Sequence, residues 1–174
     1  MKKSDINKPA CYFDRYIECC EDSEILQALE ESIRELESMD LSSIKSIGDS
    51  VYAEGKWTIK QIFQHLIDCE HILAYRALRI GRNDTTKLQG FDEQILADNV
   101  SVEGRTPESL IEEMKLRRKV TKLMFESFSD EQVQILGYTS DIQMSALALG
   151  FTIVGHQKHH FKIIENKYMP LIAK

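Results

Sequence analysis

The sequence predicts an all-α bundle of four main helices with at least one long crossover connection, and two observations lead there. Apolar residues recur three and four apart over several long stretches, the period of a helix with one buried face. A helix-start signal precedes most of these stretches, and glycine or a polar run follows several of them. The chain has 174 residues, 43% of them hydrophobic, enough for one domain with a sizeable core and few for two. No internal repeat or low-complexity tract breaks the pattern.

Taken in order, residues 1–10 read as a frayed end, and Cys11 to Cys19 (CYFDRYIEC) as an aromatic-rich segment packed on the bundle. The first helix is expected from about Ser23 to Asp40. Ile25, Leu26, Leu29, Ile33, Leu36 and Met39 form its stripe, and Glu24, Glu30, Glu31, Glu35 and Glu37 cover the other side. Polar residues and Gly48 then mark a connection through about Gly55. Thr58 opens the second helix, because Gln61 three residues on completes a capping box; Ile59, Ile62, Phe63, Leu66, Leu73 and Leu78 carry it to about Gly81. The longest connection, residues 82–100, has the length of an ordered functional lid. Thr106 and Pro107, as cap and first helical residue, start a helix to about Phe128. Ser129 and Gln132 suggest a short helix to Leu136, Gly137–Gln143 a turn, and Ser145 the cap of the last helix.

That last stretch, Ser145 to Tyr168, holds three of the five histidines. At 100° per residue His156 and His160 lie about 40° apart, the i, i+4 geometry in which two imidazoles can share one cation. Leu149, Thr152, Ile153 and Ile163 lie on or near that face, so the rings are expected to point inward, where neutral imidazoles need partners. The pentad His156-Gln157-Lys158-His159-His160 resembles the zinc-protease motif H-E-x-x-H, but Gln157 cannot act as the general base. A carboxylate-bridged di-iron site is also excluded, since the chain has no Glu-x-x-His pair. A third metal ligand is therefore sought elsewhere, and His65 suits it, sharing an apolar face of the second helix with Ile62, Cys69 and Ile72. His71 lies about 120° round from His65 and is expected at the surface. His159, three residues from His156, is the alternative to His160.

The net charge of −6 disfavours a nucleic-acid surface, which needs clustered cations. The basic group Lys115, Arg117, Arg118, Lys119 and Lys122 reads as a solvated helix face. No apolar run approaches the ~18 residues of a membrane span, and a cytoplasmic location with no structural disulfide among Cys11, Cys19, Cys20 and Cys69 is expected.

The segment Tyr52-Ala53-Glu54-Gly55-Lys56-Trp57-Thr58-Ile59-Lys60, with His65-Leu66-Ile67-Asp68 and Ala74-Tyr75-Arg76-Ala77-Leu78, resembles the DinB-like (DinB/YfiT) superfamily. So do Gly90-Phe91-Asp92-Glu93 and Gly155-His156-Gln157-Lys158-His159-His160. The resemblance implies an up-down-down-up four-helix bundle with a divalent metal ion, Zn²⁺ or Ni²⁺, held at His65, His156 and His160. It also implies a transferase that joins a small-molecule thiol of the bacillithiol or mycothiol kind to an electrophile. A metal-dependent hydrolase and a non-catalytic metal-binding or interaction bundle are the alternatives, and a homodimer fits an acidic bundle of this size. Three neutral ligands leave the ion its full charge, so a bound water or thiol would be strongly acidified.

Around those ligands several residues carry two readings each. Cys69, one turn after His65 and a departure from the family pattern, either packs or ligates, and ligation would close the fourth position. Arg76, about 16 Å along the helix axis from His65, suits either an anchor for a substrate carboxylate or a surface ion pair. Asp68 either accepts from an imidazole N–H or forms an ordinary salt bridge. By the family pattern Trp57, Tyr52 and Phe91 line the pocket mouth; otherwise they simply pack. Gln89 replaces the proline expected before Gly90, which predicts a more mobile loop.

Overall fold

The computed structural model describes residues 1–7 and 12–172. In chain order it forms α1 (Asp14–Ile17), α2 (Ile25–Glu37), α3 (Leu41–Ile47), α4 (Ile59–Gly81), α5 (Glu93–Asp98), α6 (Pro107–Glu126) and α7 (Asp130–Gln134). A hairpin of β1 (Leu136–Thr139) and β2 (Ile142–Ser145) follows, then α8 (Ala146–Ile163), which runs on as a π-helical turn over Ile164–Tyr168. Three of the four long helices start where the caps put them. Thr58 and Gln61 bond reciprocally at α4 and Thr106 and Ser109 at α6, while the Ser145 hydroxyl accepts the Ala148 N–H at 3.1 Å.

Cross-helix pairs give the direction of each element. Gln64 meets Arg105, Glu70 meets Arg118 and Arg82 meets Ser127, so α4 and α6 run parallel. Ile25 lies beside Gly150 and Glu35 bonds Lys158, so α2 and α8 are parallel as well. Lys122 pairs with Glu30 while Arg118 reaches Ser32, which sets α6 antiparallel to α2. The order is therefore up-down-down-up, and parallel α4 and α6 require the chain between them, residues 82–106, to return along the bundle. The apolar core falls into two clusters. Leu29, Leu73, Ala77, Leu147 and Phe151 belong to one; Leu36, Ile59, Phe63, Leu110 and Tyr168 belong to the other.

Four expectations need correction. The described part of the amino-terminal segment is tied down rather than frayed: Ser4 N–H donates to Asp22 at 2.8 Å, the Asp5 carbonyl accepts from Gln134 at 2.6 Å, and the Met1 ammonium pairs with Glu24. Residues 8–10 and Cys11 lie outside the described residues. The connection after α2 contains α3, capped by Asp40 and held by buried Ile44 and Ile47. The turn before α8 is a hairpin whose first loop residue, Ser140, takes φ +56°. Arg118 is not on a solvated face but 2% exposed, and it grips Glu70 through Nε and Nη2 at 3.0 Å each.

The crossover is not a loose loop either. Leu88 donates its N–H to Tyr138 O at 2.9 Å and accepts from Ser140 N at 2.7 Å, so it adds a short rung to the hairpin. A Cβ at Gly90 would come within 2.3 Å of Ser140 Oγ, so glycine permits this close approach. The described cysteines, Cys19, Cys20 and Cys69, are free. Among the described residues no helix is long and apolar enough to cross a membrane.

Candidate functional site

Antiparallel α4 and α8 bring His65, His156 and His160 together near the junction of the two core clusters. All three are buried. His156 Nε2 lies 3.1 Å from His65 Nε2 and 3.1 Å from His160 Nε2. A neutral ring nitrogen carries either one proton or one lone pair, so His156 Nε2 can satisfy only one of these neighbours well by hydrogen bonding. A shared cation would satisfy all three lone pairs. Tetrahedral nitrogen ligands about 2.0–2.1 Å from an ion are about 3.3 Å apart, close to the His65–His156 and His156–His160 spacings of 3.1 Å, so each of these pairs fits such an ion.

Burial keeps the rings neutral. Desolvation lowers His65 to about 4, with nearby Asp68 opposing the shift, and lowers His160 to about 3. His156 is pushed well below the ordinary histidine value by burial first and by its two neighbours second. Neutral imidazole is the form that ligates metal. A consequence follows for the chelator-treated protein: an unfolded chain takes up protons below about pH 6.5 that the folded rings refuse. Stability is then expected to fall as the pH drops from about 6.5 towards 4, by up to about 1.4 kcal/mol per pH unit for each ring. Melting temperatures measured across that window check this, and a flat profile would mean that the rings protonate freely in the fold.

The other named residues separate into those at the site and those away from it. Trp57 packs against two of the clustered rings, its indole centroid 4.8 Å from His65 and 6.5 Å from His160. Cys69 is buried, its Sγ 3.7 Å from His65 Nδ1 and 3.9 Å from Nε2, so it lies beside the ring rather than in line with the nitrogen turned to His156. His65, Cys69 and His156 nonetheless hold ligand atoms within 4.8 Å of one another and could bind a metal ion as a set. His160 is the alternative third ligand, its Nε2 3.1 Å from His156 Nε2. Burial pushes the Cys69 thiol up to about 12, so without metal it stays protonated.

Asp68 does not reach an imidazole and forms no salt bridge with a described residue; it accepts from Gln64 Nε2 at 3.0 Å. Exposed His71 contacts Arg117 at 2.8 Å, and half-buried His159 packs edge-on to Tyr16, so neither joins the cluster. Gln157 turns away, donating to Ser32 O at 3.0 Å and Glu35 Oε2 at 3.1 Å. Tyr52 packs edge-on to Tyr168 and, with Trp57 and His160, lines a hollow of about 260 Å³.

A larger cavity of about 640 Å³ is lined by Trp57, Arg76, Phe91 and Glu93 together with Tyr12 and Ser140. The surface-ion-pair reading of Arg76 fails: the side chain is 4% exposed and no described carboxylate pairs with it. Its Nη2 donates to Gln89 O at 2.7 Å, and its guanidinium lies 5.0 Å from the centre of the Phe91 ring. Sequence reasoning missed Tyr16, whose ring centroid is 4.7 Å from that of His156 and whose hydroxyl accepts from Arg15 at 2.8 Å. The only available signal was the aromatic density of the segment before α2.

No curated protein matches the chain at significant similarity. Among solved structures, YfiT from Bacillus subtilis, described as a probable metal-dependent hydrolase with an unusual four-helix bundle topology, shares the fold at a TM-score of 0.56. The two are 18% identical over 88% of this chain and 86% of that one. The model of the DinB superfamily matches residues 14–164, and with the bundle and its inward histidines already in place, this chain belongs to that superfamily.

Proposed function

We propose that His65, His156 and His160 hold one divalent metal ion, Zn²⁺ or Ni²⁺, and that the protein is a metal-dependent transferase joining a small-molecule thiol to an electrophile. The observation that carries the metal assignment is a cluster of three buried imidazoles in which His156 Nε2 lies 3.1 Å from both His65 Nε2 and His160 Nε2. A divalent ion there supplies Lewis acidity and lowers the pKa of a thiol or water in its open position.

The chain's own residues supply the rest. Trp57 shields the faces of His65 and His160 from water, and Tyr16 backs His156, so the rings keep their orientation. The adjoining cavity of about 640 Å³ is of the size that accepts small-molecule ligands, and it has room for a thiol and a second reactant side by side. A cytoplasmic setting, where low-molecular-weight thiols stay reduced, suits this chemistry. A metal-dependent hydrolase acting through the same ligands is the second reading, favoured by the description of YfiT.

The test begins with metal content. Purified protein is expected to carry about one equivalent of divalent metal, lost in His65→Ala, His156→Ala and His160→Ala and kept in His71→Ala and His159→Ala. Cys69→Ala should keep it too; loss there would make Cys69 a ligand and the site a closed, structural one. Conjugation of a thiol to a model electrophile, abolished by chelation, supports the transferase, whereas metal-dependent ester cleavage without it supports the hydrolase. A wild-type protein that binds neither Zn²⁺ nor Ni²⁺ after reloading overturns the metal reading.

A further inference from the structure

Arg76 is a cation in a place that does not reward one. Its side chain is 4% exposed, yet among described residues its single hydrogen bond goes to the neutral Gln89 carbonyl. Buried charges are normally paired, because desolvation costs more than one neutral acceptor returns. Only Nη2 is used, which leaves Nε and Nη1 for another partner. Phe91 lies over the guanidinium, and both residues line the cavity of about 640 Å³ that Trp57 also borders. The fork is thus held in position with no described carboxylate paired to it.

We infer that Arg76 binds a carboxylate on the substrate, at the end remote from the reacting atom. This deepens the proposed function and rests on it for the identity of that atom. Arg76 follows His65 by eleven residues, about 16 Å along α4, and helix side chains lean towards the N-terminus, so its fork points back towards the histidines. A carboxylate matches the planar fork in two hydrogen bonds. Asp92 and Glu93 also line the cavity and favour a single negative charge over the dianion of a phosphate ester. Aromatic and aliphatic walls from Phe13, Trp57, Phe91 and Ile142 suit an apolar body between the two ends.

Trp57 is the chain's only tryptophan, so its fluorescence reports on this cavity. Chelator-treated protein is titrated with benzoate, with its neutral isostere benzamide and with phenyl phosphate. Benzoate should bind at least about tenfold more tightly than benzamide, the range of a charge-assisted hydrogen bond. In Arg76→Met that preference should vanish while the melting temperature holds or rises, since an unpaired buried charge has been removed. Arg76→Lys should regain part of it, as the charge returns without the fork. The inference is overturned if wild type binds benzoate and benzamide alike, or if Arg76→Met keeps the preference. It is equally overturned if that variant melts lower with binding unchanged, which would make Arg76 a clamp on Gln89. Tighter binding of phenyl phosphate would mark a phosphate site instead. Working without metal keeps the two readings separable, because this preference can hold or fail whatever the metal content shows.

Discussion

Replacing Arg118 by alanine is expected to cost about 3–5 kcal/mol of folding stability, the range for stranding one member of a buried ion pair. Arg118 and Glu70 are 2% and 3% exposed, with two parallel N–H···O bonds of 3.0 Å between α6 and α4. Thr121 donates to Glu70 at 2.8 Å, Arg118 also reaches the Ser32 hydroxyl on α2, and the Ser32 carbonyl takes the Gln157 amide of α8. One network therefore joins all four long helices and ends one residue from His156. Without Arg118 the carboxylate keeps a single hydroxyl donor among the described residues, far short of what desolvation took from it. Glu70→Ala should cost a similar amount, and the double replacement Glu70→Leu with Arg118→Met much less than the sum, because no charge is then left behind. Half-buried Lys122, paired with Glu126 on its own helix and with Glu30 on α2 at the partly solvated surface, provides the contrast, with Lys122→Ala expected to change stability by less than about 1 kcal/mol. Urea unfolding at neutral pH measures all four variants; a loss below about 1 kcal/mol in Arg118→Ala would show that water reaches the pair and relieves it.

That network also marks where sequence reading stopped. The four long helices were legible because a 3.6-residue apolar period and side-chain caps act within one turn, and Thr58, Thr106, Ser129 and Ser145 do cap helices. His65, His156 and His160 were legible as an inward cluster for the same reason, since each sits on an apolar helix face. Arg118 was not, because it stands among four other basic residues and its partner is 48 positions away on another helix. Only tertiary packing distinguishes it from Arg117, which faces out to His71. The helix α3 is seven residues long with two buried apolar side chains, too short for a period to show, and each hairpin strand has four residues. Arg76 could be placed on the right face but not in the right environment: its burial depends on the crossover folding back to put Gln89 and Phe91 against it.

Gly155→Ala should disturb the metal site without touching a ligand. A Cβ at Gly155 would sit 1.8 Å from the Tyr16 carbonyl oxygen and 2.5 Å from its carbon, so α1 must move off α8. The obstacle is main chain, which cannot rotate away, and overpacking of this kind costs about 3 kcal/mol. The higher helix propensity of alanine returns only about 1 kcal/mol. Gly150, five residues earlier on α8, separates the two effects. A Cβ there meets Phe125 Cζ at 2.7 Å and Ile25 Cδ1 at 2.9 Å, both side-chain ends that can shift, so Gly150→Ala should lie closer to neutral. The functional consequence comes through Tyr16, whose ring centroid is 4.7 Å from that of His156. Displacing α1 removes that support and lets water reach a nitrogen whose orientation depends on being dry and packed. Gly155→Ala is therefore expected to bind divalent metal at least about tenfold more weakly than wild type, in the range for loss of supporting contacts around ligating histidines, while Gly150→Ala binds normally. Competition titration against a chromophoric chelator, beside thermal melting, reads both quantities. If Gly155→Ala melts and binds metal as wild type does, α1 yields at no cost and Tyr16 plays no part in holding His156.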